Sequence, residues 1–330
     1  MSSWKDIFRR RTEDWVYSYL AAEQVPDNIE PRRVEKNSAY LSITLKSARV
    51  VNVRRGLSRF YGTVHSYASV PHLSGAAAEF QVVTTPNNLK DVDAAHIDRV
   101  TQLDQRLLGP VPYRQELELE IGLFSVRSAD LAAPFISLLE SLSKVASVAF
   151  ISAAIPFAEP LKIGINLLLG SNDSSVLEIG MAASSWEPRA GYFVVMRVPR
   201  QQVEIERLRV RSDDYRLVDS DNNPVGNYPY MVFKVEASPI RDDWFMIPEV
   251  SEAYNQLNSD IRQWRHRDAK ESLIVFKRTV LTSGDLLEDH ARTLADSVET
   301  KYREIAEEGL LSGDQEQRQA LPELHELSPF

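Results

Sequence analysis

Short runs rich in β-branched and aromatic residues dominate the first two thirds of the chain and most constrain its fold. They recur over 40–85 and again over 176–236, where clusters of turn-forming residues separate them. Runs of this kind are typical of β-strands. Because no helical segment separates the runs within 176–236, an antiparallel arrangement is favoured over a doubly wound parallel sheet. We therefore predict an α+β fold with a mostly antiparallel, sandwich-like β-rich domain.

Helical periodicity flanks and interrupts these predicted strands. Aromatic residues at helical spacing near the N-terminus predict an amphipathic helix, and apolar residues at the same spacing recur towards the C-terminus. The final residues carry few apolar anchors, which is typical of a flexible tail. The predicted regions are an N-terminal helix at 1–24, a β-rich domain at 38–247 with helical insertions at 91–108 and 130–170, a C-terminal helical region at 248–310 and a tail at 311–330.

The most apolar stretch of the chain is 145–170. Fourteen uncharged residues extend from Val145 to Ala158, and Glu159, Pro160 and Lys162 then interrupt the run. A membrane-spanning helix needs about 20 apolar residues, so two short helices in a hairpin are predicted instead. This apolar hairpin either packs in the core or docks on a protein partner or a membrane. Its candidate contact residues are Phe150, Ile155, Ile163 and Leu168.

Charge is distributed unevenly along a chain whose formal net charge is −9. Residues 31–60 carry eight bases and one acid, whereas 284–330 carry twelve acids and four bases. The negative net charge disfavours binding to nucleic acid, which needs a surplus of Lys and Arg. The basic segment either docks on the acidic one or faces an anionic surface such as lipid headgroups. Candidate interaction residues outside the apolar hairpin are Trp4, Phe8, Trp15, Arg54 and Arg55.

The sequence contains none of the common catalytic or nucleotide-binding motifs. It has no glycine-rich dinucleotide loop, no Walker loop, no serine-hydrolase elbow and no zinc-protease motif. It also has no cysteine, which excludes disulfides, cysteine zinc sites and thiol nucleophiles. Its six histidines are scattered and show no ligand spacing. We therefore predict a protein without enzymatic activity and without a cofactor.

Acidic clusters near the later strands are the weak candidates for a metal site. The segment from Asp219 to Asn223 resembles the start of a calcium loop. However, Pro224 and Tyr230 occupy the positions at which an EF-hand needs Gly and Glu, so that motif is excluded. Loops at one end of a sandwich could still gather carboxylates around Ca²⁺. The candidate ligands are Asp213, Asp214, Asp219, Asp221, Asp242 and Asp243.

A non-enzymatic interaction module or effector is the function that these features predict. It would present an apolar helical segment to a protein partner, with a membrane as the other possible target. The N-terminus lacks the apolar segment of a signal peptide, so a cytoplasmic location is expected. Two alternatives stay open: a Ca²⁺-dependent lipid-binding β-sandwich, and an enzyme of unrecognised type. The oligomeric state does not follow from the sequence.

Overall fold

The computed structural model describes 15–51, 54–55, 58–71, 77–83, 101–127, 175–198, 203–225, 228–263 and 265–311. The chain divides into two compact units, one formed by 1–36 and 41–237 and the other by 37–40 and 238–330. The strands are β1 (Trp15–Tyr19), β2 (Arg32–Arg33), β3 (Tyr40–Arg49), β4 (Arg54–Arg55), β5 (Ser58–Pro71), β6 (Ala77–Val83), β7 (Thr101–Pro112), β8 (Leu117–Arg127), β9 (Ser175–Trp186), β10 (Arg189–Arg197), β11 (Arg209–Val210), β12 (Leu217–Val218) and β13 (Tyr230–Ser238). The helices are α1 (Pro248–Arg262), α2 (His266–Thr282) and α3 (Glu288–Leu311). The predicted α+β class with mostly antiparallel pairing is confirmed.

The first unit contains two larger sheets and one small strand pair. The first sheet has the order β1-β10-β13-β3-β7, with β2 also paired to β10, and the second has the order β4-β5-β8-β9, with β6 beside β5. β11 and β12 form the small pair. β10 runs antiparallel to β1, β2 and β13, and the second sheet is antiparallel throughout. At the centre of the first sheet Phe193 lies opposite Phe233, and their buried rings stack 4.8 Å apart.

β8 shows how alternation in the sequence determines the second sheet. Leu119, Ile121 and Leu123 all lie on one side of the strand and are buried. The alternation of apolar and acidic residues over 116–121 predicts that the acidic side faces water, and this is wrong at Glu120, which is only 3% exposed. β8 is an inner strand between β5 and β9, and His65 of β5, on the same side as Glu120, is also buried. Alternation therefore identified the strand correctly but did not reveal that both of its sides are covered.

The N-terminal helix predicted at 1–24 is wrong over its final part. Trp15–Tyr19 is β1, an edge strand that pairs antiparallel with β10 from Trp15↔Arg197 to Tyr19↔Phe193. Its sequence Trp-Val-Tyr-Ser-Tyr is rich in strand-favouring residues, and pairing with β10 satisfies its backbone groups. The aromatic residues that recur at helical spacing therefore do not determine the structure here. Trp4 and Phe8 lie outside the described residues.

The helix predicted at 91–108 is wrong where the structure describes it, because Thr101–Pro112 is the strand β7 beside β3. Gly109 and Pro110 follow the predicted helix in a pattern typical of a helix end, but they form a cis peptide inside this strand. Gly109 has φ +87°, and a β-carbon there would overlap the carbonyl of Leu41. Only glycine therefore fits this close approach of two backbones. The insertion predicted at 130–170 and the tail residues 312–330 lie outside the described residues.

The second unit is built on the three helices. α2 packs against both α1 and α3. Tyr254 of α1 and Phe276 of α2 are fully buried and meet at an angle of 64°, with ring centroids 5.7 Å apart. The helical periodicity of 248–310 in the sequence corresponds to these helices. Their arrangement fixes which side of α2 remains open to solvent.

Candidate interaction surface

α2 carries two stripes of side chains on different sides of the helix. The inner stripe is buried, and its members follow each other at intervals of four, three and four residues. This is the spacing that places side chains on one side of an α-helix. The inner stripe consists of Ala269, Leu273, Phe276 and Val280.

The second stripe faces solvent and is the candidate interaction surface. We call it the outer stripe, and it consists of Arg267, Glu271, Ile274, Arg278 and Leu281. Ile274 is 61% exposed and Leu281 is 49% exposed, and Val275 beside the stripe is 56% exposed. The outer stripe has intervals of four, three, four and three residues, which is the spacing of a coiled-coil seam. A helix with apolar residues on both sides has one side that its own unit does not cover.

A carboxylate at the end of α1 holds one flank of α2. Asp260 is 2% exposed and accepts hydrogen bonds from the Ser272 hydroxyl at 2.6 Å and the Gln256 amide at 3.0 Å. The hydrogen bond from Ser272 holds the pKa of the Asp260 carboxyl below its ordinary value. Because Ser272 lies on α2, this contact ties α2 to the end of α1. Together with burial of the inner stripe, it holds the outer stripe towards solvent.

We expect Asp260→Ala to lower the free energy of unfolding of the helical unit by about 1–3 kcal/mol, because the Ser272 hydroxyl and the Gln256 amide lose a buried acceptor. Urea unfolding read by pulsed hydrogen exchange on α1 and α2 peptides measures this. Asp296→Ala, at an exposed position of α3, is the matched control and should change stability by less than about 0.5 kcal/mol. Equal stability of the two variants would contradict a structural role for Asp260.

Ion pairs hold the other flank of α2 against α3. Lys277 of α2 pairs with Glu299 of α3, and Arg303 pairs with the same carboxylate from one turn further along α3. The hydrogen bond from Lys277 lowers the pKa of Glu299. Lys277 is therefore engaged within the unit, whereas Arg278 next to it points to solvent as part of the outer stripe.

A buried polar cluster orients the start of α3. The Arg241 side chain is fully buried, and its Nε donates to Asp243 Oδ1 at 2.8 Å. Its Nη1 donates to the backbone carbonyl of Asp285 at 3.1 Å. Tyr40 accepts a hydrogen bond from the Leu287 backbone N–H at 2.8 Å, and its hydroxyl lies 2.9 Å from His290 Nδ1. These contacts secure the α2–α3 connection, and with it the C-terminal end of the outer stripe.

The residues predicted to mediate interaction do not form this surface. Trp15 begins β1. Arg54 and Arg55 form β4, and they pair with Arg59 and Ser58 of the neighbouring strand β5. The apolar hairpin residues Phe150, Ile155, Ile163 and Leu168 lie outside the described residues. The apolar residues of the inner stripe predict the helix α2, but the outer stripe was not recognised from the sequence. The available signal was that Ile274, Val275 and Leu281 do not fit the period of the inner stripe.

Four of the six candidate metal ligands bind other groups in the structure, and the other two are exposed. Asp213 accepts from Arg211 at 2.8 Å, and Asp214 pairs with Arg211 and with Arg216. Asp219 accepts from the backbone N–H groups of Asp221 and Asn223, each at 2.9 Å, and so closes a turn. Asp221 and Asp242 are exposed, and Asp243 binds Arg241. Within the described part of the chain, His, Asp and Glu side chains do not converge in threes or more at a position suited to a metal ion.

A shallow groove of about 660 Å³ lies beside the N-terminal half of α1. Met246, which is 57% exposed, lies at one end of it, and polar and apolar surface contribute about equally to the lining. The lining residues are Met246, Pro248, Ser251, Glu252, Asn255 and Gln256. The groove is therefore open and lacks the predominantly apolar walls that are typical of a small-molecule site.

Two further findings concern the ability of the helices to cross a membrane and the similarity of the chain to known proteins. Among the helices that the structure describes, none combines the length and the apolar character needed to cross a bilayer. Compared with models of protein families, with characterised proteins and with solved structures, the chain gives no significant match.

Proposed function

We propose that the chain is a non-enzymatic interaction module whose helical unit binds a protein partner through the outer stripe of α2. The observation that carries this proposal is the exposure of Ile274 and Leu281 at coiled-coil spacing on a helix whose opposite side is already packed. Burial of a large aliphatic side chain contributes about 1.5–3 kcal/mol relative to leaving it exposed. A facing helix would cover both residues at once.

The charges within the outer stripe favour a protein over a lipid surface. Arg267, Glu271 and Arg278 alternate with Ile274 and Leu281, so the apolar residues form no continuous surface. An interfacial helix instead inserts a broad apolar side into the acyl boundary and keeps its charges on the other side. Mixed charge and aliphatic residues are what the edge of a helix–helix interface uses.

Site-specific photo-crosslinking in cells that make the protein tests the proposal. Benzoylphenylalanine in place of Ile274 should give a discrete adduct, and the same group in place of Asp296 on α3 should give none. The adduct at 274 should disappear when Leu281→Lys is added, because both positions belong to one stripe. It should persist with Thr300→Lys, an exposed position on α3 that serves as the matched control. Absence of any adduct at 274 would overturn the proposal.

A further inference from the structure

We infer that the partner of the outer stripe is a second copy of this chain, bound with the two α2 helices antiparallel about a two-fold axis at Ile274. This inference rests on the proposed function and names its partner. A two-fold interface is self-complementary: if one residue contacts a second, the second also contacts the first. The order of residues along the outer stripe meets this condition.

The antiparallel register pairs every position of the stripe with a suitable neighbour. Ile274 faces Ile274 of the second copy across the axis. Glu271 lies three residues before Ile274 and Arg278 four after it, so Glu271 of one copy lies within one residue of the position opposite Arg278 of the other, which long side chains can span. This pair occurs twice in the dimer. Arg267 and Leu281 are each seven residues from Ile274, and they face each other at both ends. The aliphatic part of Arg267 can cover Leu281 while its guanidinium stays in water.

The parallel arrangement is disfavoured by the same charges. Each residue would then face its own copy, and Arg267, Glu271 and Arg278 would each meet a like charge. Like charges at neighbouring helix positions are destabilising, and opposite charges stabilise by similar amounts. The charge pattern therefore selects the antiparallel orientation, whereas Ile274 and Leu281 alone would permit both.

The side chains concerned are available for this contact. Arg267 is 89% exposed and Glu271 is 67% exposed, and the contact between them on the helix surface is long at 3.4 Å. The Arg278 side chain is likewise exposed. Glu271 can therefore exchange its weak contact within the helix for Arg278 of the second copy without breaking a buried interaction.

The size of the surface sets the expected strength of the dimer. α2 has 17 residues and is therefore about 25 Å long, so one helix pair buries less than a standard interface. We expect a dissociation constant on the order of micromolar, with dimer and monomer exchanging over ordinary protein concentrations. Sedimentation analysis of the full chain over a dilution series measures it.

Cysteine crosslinking tests the position of the axis. The chain has no cysteine of its own, so Ile274→Cys introduces a single thiol. Two thiols on the axis should form a disulfide-linked dimer under mild oxidation, and Thr300→Cys on α3 should give much less. Equal dimer yields from the two variants would place the axis elsewhere and overturn the inference.

Charge exchange tests the orientation. Glu271→Arg and Arg278→Glu should each weaken dimerisation about tenfold, because each creates two like-charge pairs in the dimer. The double variant Glu271→Arg/Arg278→Glu should restore it. These positions are exposed, and circular dichroism verifies that the helices remain folded. Failure of the double variant to recover, with both single variants folded and weakened, would overturn the antiparallel register.

The two proposals fail in different ways. If the chain stays monomeric over the dilution series but benzoylphenylalanine at 274 gives an adduct with a different protein, the second-copy inference is wrong and the interaction module stands. If the chain is monomeric and no adduct forms, both are wrong. An adduct of twice the chain mass, together with recovery in the charge-exchanged double variant, supports both.

Discussion

Replacement of Arg241 by methionine is expected to lower the free energy of unfolding of the helical unit by about 3–5 kcal/mol. Methionine fills a similar volume but removes a cation that is fully buried beside Asp285, whose side chain is also fully buried, with Nη1 3.8 Å from Oδ1. The Asp285 carboxylate then stays in the interior without that cation. The substitution also removes the donors to Asp243 Oδ1 and to the Asp285 carbonyl. Urea unfolding read by pulsed hydrogen exchange on α3 peptides measures the change.

Arg292→Met is the matched control for loss of an arginine. Arg292 is 62% exposed and pairs with Glu288 one turn earlier on α3, so its removal should cost less than about 1 kcal/mol. Asp285→Asn in the Arg241→Met background should recover part of the lost stability, because it removes the buried charge that Arg241 had balanced. A variant Arg241→Met as stable as Arg292→Met would show that the buried pair contributes no net stability.

The sequence pattern alone is sufficient to predict those strands and helices whose pattern extends over many residues. Alternation identified β8, and helical periodicity corresponds to the helices of 248–310. Strand runs without intervening helical patterns predicted antiparallel pairing, since short connections cannot join neighbouring parallel strands. In each case the signal extends over many residues and the local preference agrees with the tertiary structure.

The same reasoning failed where a neighbouring strand decides the conformation. Trp15–Tyr19 and Thr101–Pro112 both contain apolar residues that fit a helical period, yet both are strands because β10 and β3 offer them backbone partners. Short segments fit both periods, so the sequence alone does not distinguish them. Glycine followed by proline is typical of a helix end, whereas Gly109 is required here for the close approach to Leu41.

The candidate site could be predicted only in part. The helix α2 and its buried stripe follow from the sequence, but the exposure of Ile274 and Leu281 depends on where α1 and α3 pack. The buried polar cluster could not be predicted from residues that are neighbours in the sequence, because Tyr40 is 250 positions from His290. Asp243 is one of the predicted metal ligands, and the cation it binds is Arg241. Arg241 is only two residues away in the sequence, but this spacing alone does not show that the two side chains are in contact.

The acid sensitivity of the helical unit depends on the protonation state of His290. This side chain is 2% exposed, and burial, followed by the nearby Arg241, lowers its pKa to about 4, although Asp242 acts in the opposite direction. Tyr40 accepts from the Leu287 N–H, and its hydroxyl lies 2.9 Å from His290 Nδ1. In the neutral tautomer with the proton on Nε2, Nδ1 accepts a hydrogen bond from the Tyr40 hydroxyl. Protonation of Nδ1 would remove the acceptor of the Tyr40 hydroxyl.

The expected result is a loss of about 2 kcal/mol of stability in the helical unit between pH 7 and pH 5, approaching about 3 kcal/mol near pH 4. The unfolded chain binds a proton at His290 near pH 6.5, whereas the native state does so only near pH 4. Between these values the unfolded state holds more protons, so stability rises with pH across the window and is complete above it. Urea unfolding at a series of pH values, with pulsed hydrogen exchange on α3 peptides, measures this slope.

His290→Gln should remove most of that slope, because glutamine can accept from Tyr40 but does not titrate. His266→Gln, at an exposed position at the start of α2, is the matched control for loss of an imidazole. Carboxylates such as Asp260, whose pKa values are lowered in the folded state, contribute only below their ordinary values near 4, so the interval from pH 6.5 to 5 isolates the histidine. A wild-type profile that is flat over this interval would mean that His290 protonates within the folded unit. The Tyr40 hydrogen bond would then have to exist in a second arrangement in which the phenol oxygen accepts from the imidazolium.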